Sequence, residues 1–130
     1  MAELSKGTKG SLAELRVGCH LISLGFQVFR NLSSNGACDL VALRGRQNIR
    51  VQVKSTLSIN SFKNLRQGQN DLLAVLVDGE IYYRAVNRRI ASLVPGCVLA
   101  RRPKPVAKPA APPHKQPKKL PQQSPLKRAA

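Results

Sequence analysis

A chain of 130 residues has room for one domain at most, because the buried fraction rises with size and small domains sit near the margin of stability. Its 22 lysines and arginines stand against 6 acids, a net charge of +16 that points to a polyanionic partner and away from an enzyme for neutral metabolites. No apolar run approaches the ~18 residues of a membrane span, and Cys19, Cys38 and Cys97, odd in number and without a C-x-x-C pair, support neither a disulfide framework nor a zinc ribbon.

From Ser11 to Leu24 the apolar residues Leu12, Leu15, Cys19 and Ile22 fall at three- and four-residue steps, which predicts an amphipathic helix. Gly25 suits a left-handed C-cap, with Phe26 as its apolar partner. A short β-like run, Phe26–Arg30, leads into the polar loop Asn31–Ala37. Cys38–Leu43 and Ile49–Thr56 are rich in β-formers and flank the turn-like Arg44–Asn48, so they are expected to pair as an antiparallel hairpin. In the second strand Ile49, Val51 and Val53 face one way, and Arg50, Gln52, Lys54 and Thr56 the other. Leu57–Asn70 reads as irregular with one helical turn near Phe62–Leu65. Leu72–Val77, Asp78-Gly79 and Glu80–Val86 form the clearest hairpin signal, and Arg88–Leu93 adds a terminal helical turn. The order predicts a mixed α/β domain with an N-terminal helix packed on a mixed sheet. One of Tyr82 and Tyr83 is expected in the core, the cysteines as small reduced packing groups, and His20 on the solvent or phosphate side of the helix.

Eight of the nine prolines lie in residues 101–130, with nine basic residues and no acid. Proline removes donors and like charges repel, so this segment is expected to be a disordered cationic tail, and the folded domain to end near residue 100. Residues 1–100 keep 13 basic residues against all 6 acids, a net +7, and are basic in their own right. The tail is either a solubilising extension or an arm that tracks phosphates. Without an apolar signal core in Met1–Gly10, the expected setting is cytoplasmic, nucleoid-associated in a bacterium, with no membrane and no small-molecule cofactor.

The few acids are informative by position. Glu14 lies inside the first helix, three residues after Ser11, which is also the spacing of a capping box. Asp39 sits second in an otherwise apolar strand, where a carboxylate is at an edge, paired or metal-bound, since burying it alone costs several kcal/mol. Across the hairpin, Gln52 and Lys54 point the same way, so Asp39, Gln52 and Lys54 can gather, with Glu14 approaching from the helix. Taken alone, Lys54 is an ordinary exposed strand lysine and Asp39 a loop-edge acid. Arg88, Arg89, Arg101 and Arg102 read as a basic surface. Aromatics at 4% speak against a base-stacking platform.

The segments KGSLAEL with Glu14, GFQVFR, CDLVAL with Asp39 and VQVKS with Gln52 and Lys54 resemble the PD-(D/E)XK nuclease superfamily, across roughly Lys9–Asn87 and in its small single-domain branches of intron homing endonucleases and Holliday-junction resolvases. Cys38 replaces the motif's proline and Gln52 its triplet acid. The resemblance implies a restriction-endonuclease-like core in which Asp39, Gln52 and Glu14 hold Mg²⁺, with Mn²⁺ as a substitute, and Lys54 positions or deprotonates the attacking water. It further implies DNA, duplex or branched, as partner and a homodimer. Ser55, Thr56, Lys9, Arg88, Arg89, Arg101 and Arg102 are the expected nucleic-acid contacts. Glutamine offers a carbonyl oxygen to a hard cation but no charge. A site weakened by Gln52 would leave a binding module, and charge alone allows an RNA-binding protein.

Overall fold

The computed structural model describes residues 3–33, 36–56 and 58–101, and its first helix, α1 (Lys6–Ser23), begins more than a turn before the predicted Ser11. Ser5 is the N-cap, its hydroxyl accepting from the Thr8 N–H at 3.2 Å. Glu14 is therefore mid-helix, and the capping-box reading of Ser11 and Glu14 fails. At the other end Gly25 (φ 95°) closes a Schellman motif: the Phe26 N–H reaches the Leu21 carbonyl at 3.1 Å and the Gly25 N–H that of Ile22 at 2.9 Å. Open space surrounds the Gly25 α-carbon, so Gly25→Ala carries backbone strain alone. It is expected to lower stability by about 1–2 kcal/mol in thermal unfolding, and an unchanged Tm would show that the cap is dispensable.

The helix buries Ala13, Val17, Gly18 and Leu21. This is not the predicted face: Leu12, Leu15, Cys19 and Ile22 are exposed. Small residues at 13 and 18 let the helix axis approach the sheet closely, which the larger leucines would prevent.

Six strands form one sheet in the order β1-β2-β3-β4-β5-β6: β1 (Gln27–Arg30), β2 (Leu40–Arg44), β3 (Gln47–Thr56), β4 (Leu72–Val77), β5 (Glu80–Ala85) and β6 (Val98–Leu99). The first three form an antiparallel meander, β3 and β4 run parallel, β4 and β5 form the hairpin predicted from Asp78-Gly79, and β5 and β6 run parallel. Asp78 (φ 48°) and Gly79 (φ 83°) both take the left-handed conformation that a two-residue turn of this hand requires. The edge strand β6 went unpredicted.

A parallel β3–β4 pair needs a crossover, and α2 (Ile59–Asn64) lies within it, starting three residues before the predicted turn. Ser58 caps it. Its Phe62 packs on Leu73, Val75 and Val77, while Leu72, Ala74 and Leu76 face the opposite core with α1. The N-terminal helix packs on a mixed sheet as predicted, and β4 is buried on both sides because α2 covers the face opposite α1. Helix α3 (Arg88–Ala91), capped by Asn87, adds Ile90 to the α1 side.

Tyr83 is the buried tyrosine, and burial holds its hydroxyl well above the usual pKa range. That hydroxyl meets His20 Nδ1 at 2.7 Å, so His20 is a partly buried staple between helix and sheet, not the solvent-facing residue expected. All three cysteines are free. Cys19 is exposed, against expectation, and Cys38 and Cys97 are half-buried; burial pushes the Cys97 thiol up to about 11.

Candidate functional site

Leu40 pairs with Val51 across the β2–β3 hairpin, so one step back along the same register Asp39 stands opposite Gln52. β2 ends there, leaving the Val53 N–H without a strand partner, and the Asp39 carboxylate fills the gap. Its Oδ2 accepts from Val53 N at 2.8 Å and from Gln52 Nε2 at 2.8 Å. Oδ1 takes no hydrogen bond among the described residues. The carboxylate is half-buried and stable where it sits because backbone and amide donors replace the water it loses.

Strand alternation holds as predicted: Ile49, Val51 and Val53 are buried against α1, and Arg50, Gln52 and Lys54 emerge on the α2 side. Lys54 is exposed two residues beyond Gln52. The face therefore brings together Asp39, Gln52 and Lys54. Glu14 is placed otherwise. Its Oε2 accepts from Arg30 Nε at 2.8 Å, and Arg30 Nη2 also reaches Ser11 Oγ at 3.0 Å. Arg30 is the register partner of Leu40, so this ion pair lies at the same end of β2 as Asp39, but it holds the Glu14 carboxylate on the helix side.

Behind Gln52 lies a polar network that the sequence did not predict. Asn70 Nδ2 donates to Gln52 Oε1 at 3.4 Å, while Asn70 Oδ1 is buried with no partner. Gln67 Nε2 reaches the carbonyls of Asn70 and Arg84, each at 3.2 Å. Arg84 Nε donates to Gln67 Oε1 at 3.1 Å, its Nη1 to the Phe62 carbonyl at 3.2 Å, and its Nη2 to the Leu65 carbonyl. The guanidinium lies 5.5 Å from the Phe62 ring centroid, and burial lowers its pKa from the ordinary value. Arg84 thus ties the crossover to the sheet, and the crossover's end holds Gln52. The loop sequence LRQGQN carries no periodicity that would reveal these partners.

Among the described residues, those expected at the nucleic acid are exposed except for the half-buried Thr56, and they are spread over several elements. Ser55 and Thr56 end β3, Arg88 and Arg89 open α3, and Arg101 follows β6; Arg102 lies outside the described residues, as does the rest of the predicted tail. Lys9, on the first turns of α1, pairs with Glu3 at 3.0 Å. Arg50 pairs with Asp71 at 3.8 Å and borders a shallow groove with Cys38, Val41 and Asn48 on the Gln52 face. A larger groove is lined by Phe62, Lys63, Arg66, Arg84, Val98 and Arg101, and neither groove includes Asp39 or Gln52.

No group of three His, Cys, Asp or Glu able to hold a metal forms among the described residues. A metal would have to use Asp39 together with amide oxygens. Gln52 presents its NH₂ to Asp39. Turning both the Gln52 and the Asn70 amides keeps their mutual hydrogen bond with the roles exchanged and sets Gln52 Oε1 beside the Asp39 carboxylate. Two oxygens so placed repel unless a hard cation lies between them. In the orientation the structure has, the Gln52 amide donates into the site and the Asp39 Oδ1 is the oxygen left open to a cation; with the amides turned, Gln52 Oε1 would join it.

No family model and no curated protein matches the sequence. Among solved structures the chain is similar to the bacterial homing endonuclease I-Ssp6803I, at 22% identity and a TM-score of 0.53 over 65% of this chain and 67% of the other. It is also similar to Hjc, a Holliday junction resolvase from the archaeal hyperthermophile Archaeoglobus fulgidus, at 21% identity and a TM-score of 0.45 over 60% of this chain and 73% of the other. Over the matched residues the chain shares the fold of that homing endonuclease, in keeping with the fold that the sequence resemblance implies.

Proposed function

We propose that the chain is a metal-dependent DNA endonuclease, hydrolysing phosphodiester bonds in duplex or branched DNA in the manner of homing endonucleases or junction resolvases. The observation that carries the reading is the placement of Asp39 opposite Gln52, with Lys54 next on the same face of a nuclease-type sheet. Asp39 and Gln52, with Glu14 if Arg30 releases it to the scissile phosphate, would hold Mg²⁺ or Mn²⁺. The ion, when bound, polarises the phosphate and lowers the pKa of a coordinated water. Lys54 holds that water or a phosphate oxygen by charge and hydrogen bond, on an exposed strand position that DNA can reach. Ser55 and Thr56 offer hydroxyls at the strand end. Lys9, Arg50, Arg88, Arg89 and Arg101, with Arg102 and the basic tail, supply phosphate contacts, and binding should weaken with salt by ~0.9 in log affinity per log salt for each phosphate neutralised. One minimal site cuts one strand, so cutting both requires two copies. A cytoplasmic or nucleoid setting accompanies a DNA substrate.

A second reading, a nuclease-fold protein that binds nucleic acid without cutting it, is favoured by the Gln52 amide donating to Asp39 and by the Arg30 pairing of Glu14. Cleavage of labelled linear, nicked and four-way-junction DNA in Mg²⁺, Mn²⁺ or EDTA separates the two. The enzyme reading requires cutting in metal and none in EDTA. Tight binding without cutting in either metal would establish the second.

A further inference from the structure

The amide side chains around the candidate site are of two kinds, those pinned at both ends and those that are not. Asn31 donates to the Cys38 carbonyl at 2.9 Å and accepts from the Ser33 N–H at 2.8 Å. Gln67 donates to the carbonyls of Asn70 and Arg84 and accepts from the Arg84 Nε. Each has one orientation that satisfies its neighbours. Asn70 differs. Its backbone is firmly held: its carbonyl accepts from Gln67, and the next residue, Asp71, bonds to the Arg50 carbonyl at 3.0 Å and to the Val86 N–H at 2.9 Å. Its side chain meets Gln52 Oε1 at 3.4 Å, and its Oδ1 is buried with no partner among the described residues. A buried oxygen without a donor subtracts from stability, so packing and folding do not explain an asparagine here.

Gln52 stands between two demands. Its Nε2 donates to Asp39 Oδ2 at 2.8 Å, and a bare carboxylate selects that end of the amide. A divalent cation on the same carboxylate selects the other end, since only Oε1 can serve as a ligand. Turning the amide changes what Gln52 presents to residue 70 from an acceptor to a donor. A lysine, an arginine or a backbone group in that place would match one orientation and forbid the other, whereas a primary amide matches both. We propose that Asn70 is a positioning residue that turns with Gln52, so that Gln52 meets Asp39 as a donor without the cation and as a fellow oxygen ligand with it, a role that rests on the metal-dependent reading of this site. In the turned pair Asn70 Oδ1 gains the Gln52 NH₂ and the Asn70 NH₂ takes the unpartnered place. One buried group lacks a partner before and after, so the exchange costs the pocket little. Because a cation polarises the amide that binds it, the turned Gln52 NH₂ is the stronger donor and depends more on residue 70 than the long 3.4 Å bond does.

The test is nuclear magnetic resonance of the full chain, isotopically labelled and freed of nucleic acid, titrated with Mg²⁺. Without the cation the Gln52 NH₂ and the Val53 N–H donate to the same oxygen, Asp39 Oδ2, and should show an Overhauser contact with each other. At saturating Mg²⁺ that contact is expected to vanish, and the side-chain amide resonances of Gln52 and Asn70 to move together. Asn70→Leu, which removes the unpartnered oxygen, should keep or raise the melting temperature of the cation-free protein, yet raise its Kd for Mg²⁺ roughly 5- to 10-fold. An asparagine with a structural role alone gives the reverse, a lower melting temperature with unchanged Mg²⁺ affinity. That reverse result, or an Overhauser contact in the unaltered chain that survives saturation while the Asp39 resonances move, would overturn the role of Asn70 and leave the metal site standing. Mg²⁺ that moves neither Asp39 nor Gln52 would remove the metal site and this role together. The contact in the unaltered chain needs no substitution and decides the matter even where Asn70→Leu does not fold.

Discussion

Lys54→Ala is expected to slow metal-dependent DNA cleavage by on the order of 10²–10⁴-fold while the dissociation constant for DNA changes little, since one exposed lysine among many basic groups contributes a small share of binding but a whole proton-transfer or positioning function. Asp39→Asn should act as strongly, and it is the better probe than Asp39→Ala. The asparagine oxygen still accepts from the Val53 N–H, which alanine would leave unpaired at a cost of about 1–3 kcal/mol. Gln52→Glu moves the other way. It sets two carboxylates against each other, so the metal-free protein should melt lower than the parent, and Mg²⁺ should restore more than it takes to compensate. Single-turnover cleavage and melting with and without Mg²⁺ read all three. A Lys54→Ala protein that cuts at the parent rate would remove Lys54 from the mechanism, and a Gln52→Glu protein whose Tm ignores Mg²⁺ would remove the metal from this pair.

Arg84→Met is expected to lose about 2–4 kcal/mol of stability although no charge partner is removed. The guanidinium donates to two crossover carbonyls and to Gln67, and an apolar side chain leaves the Leu65 carbonyl and Gln67 Oε1 without their donors and the Phe62 carbonyl with only the long 3.4 Å bond from the Leu65 N–H. Arg84→Lys should rescue little, because an ammonium is a point donor and cannot span three acceptors in one plane. Chemical denaturation measures both. Hydrogen exchange should show the crossover residues 58–70 opening before β4. A Met variant within 0.5 kcal/mol of the parent, roughly the scatter of ordinary surface substitutions, would mean that Phe62 alone seats the crossover.

The local rules were readable where one residue type is demanded. Asp78-Gly79 announces a tight hairpin because few residues tolerate two successive left-handed conformations, and Gly25 ends the helix for the same reason. The alternation of β3 fixed which side Gln52 and Lys54 occupy, and with the hairpin it brought Asp39 opposite Gln52. Packing choices were not readable. Two apolar stripes compete on α1, and the one with the larger residues lost because the sheet accepts a close approach only at Ala13 and Gly18. Gly7, Thr8 and Gly10 mask the helix's first turns, so the periodicity starts the helix at Ser11 and leaves a capping box as an alternative account of Glu14. Arg30, Asn70 and Arg84 reach the site through tertiary contacts alone, and two-residue β6 is too short to leave a pattern.

Six consecutive apolar side chains, Leu72 to Val77, vanish into both cores of the folded protein. Before the crossover closes they form the kind of uncharged, wholly aliphatic run that pairs edge to edge with its neighbours and seeds aggregates. Three of the chain's six acids, Asp71, Asp78 and Glu80, bracket that run. In a sequence otherwise so basic, they act as gatekeepers that solvate the ends of LLAVLV during folding. Half of the negative charge thus serves the unfolded chain as much as the folded one, and replacing these acids to raise the affinity for polyanions would expose the central strand to aggregation.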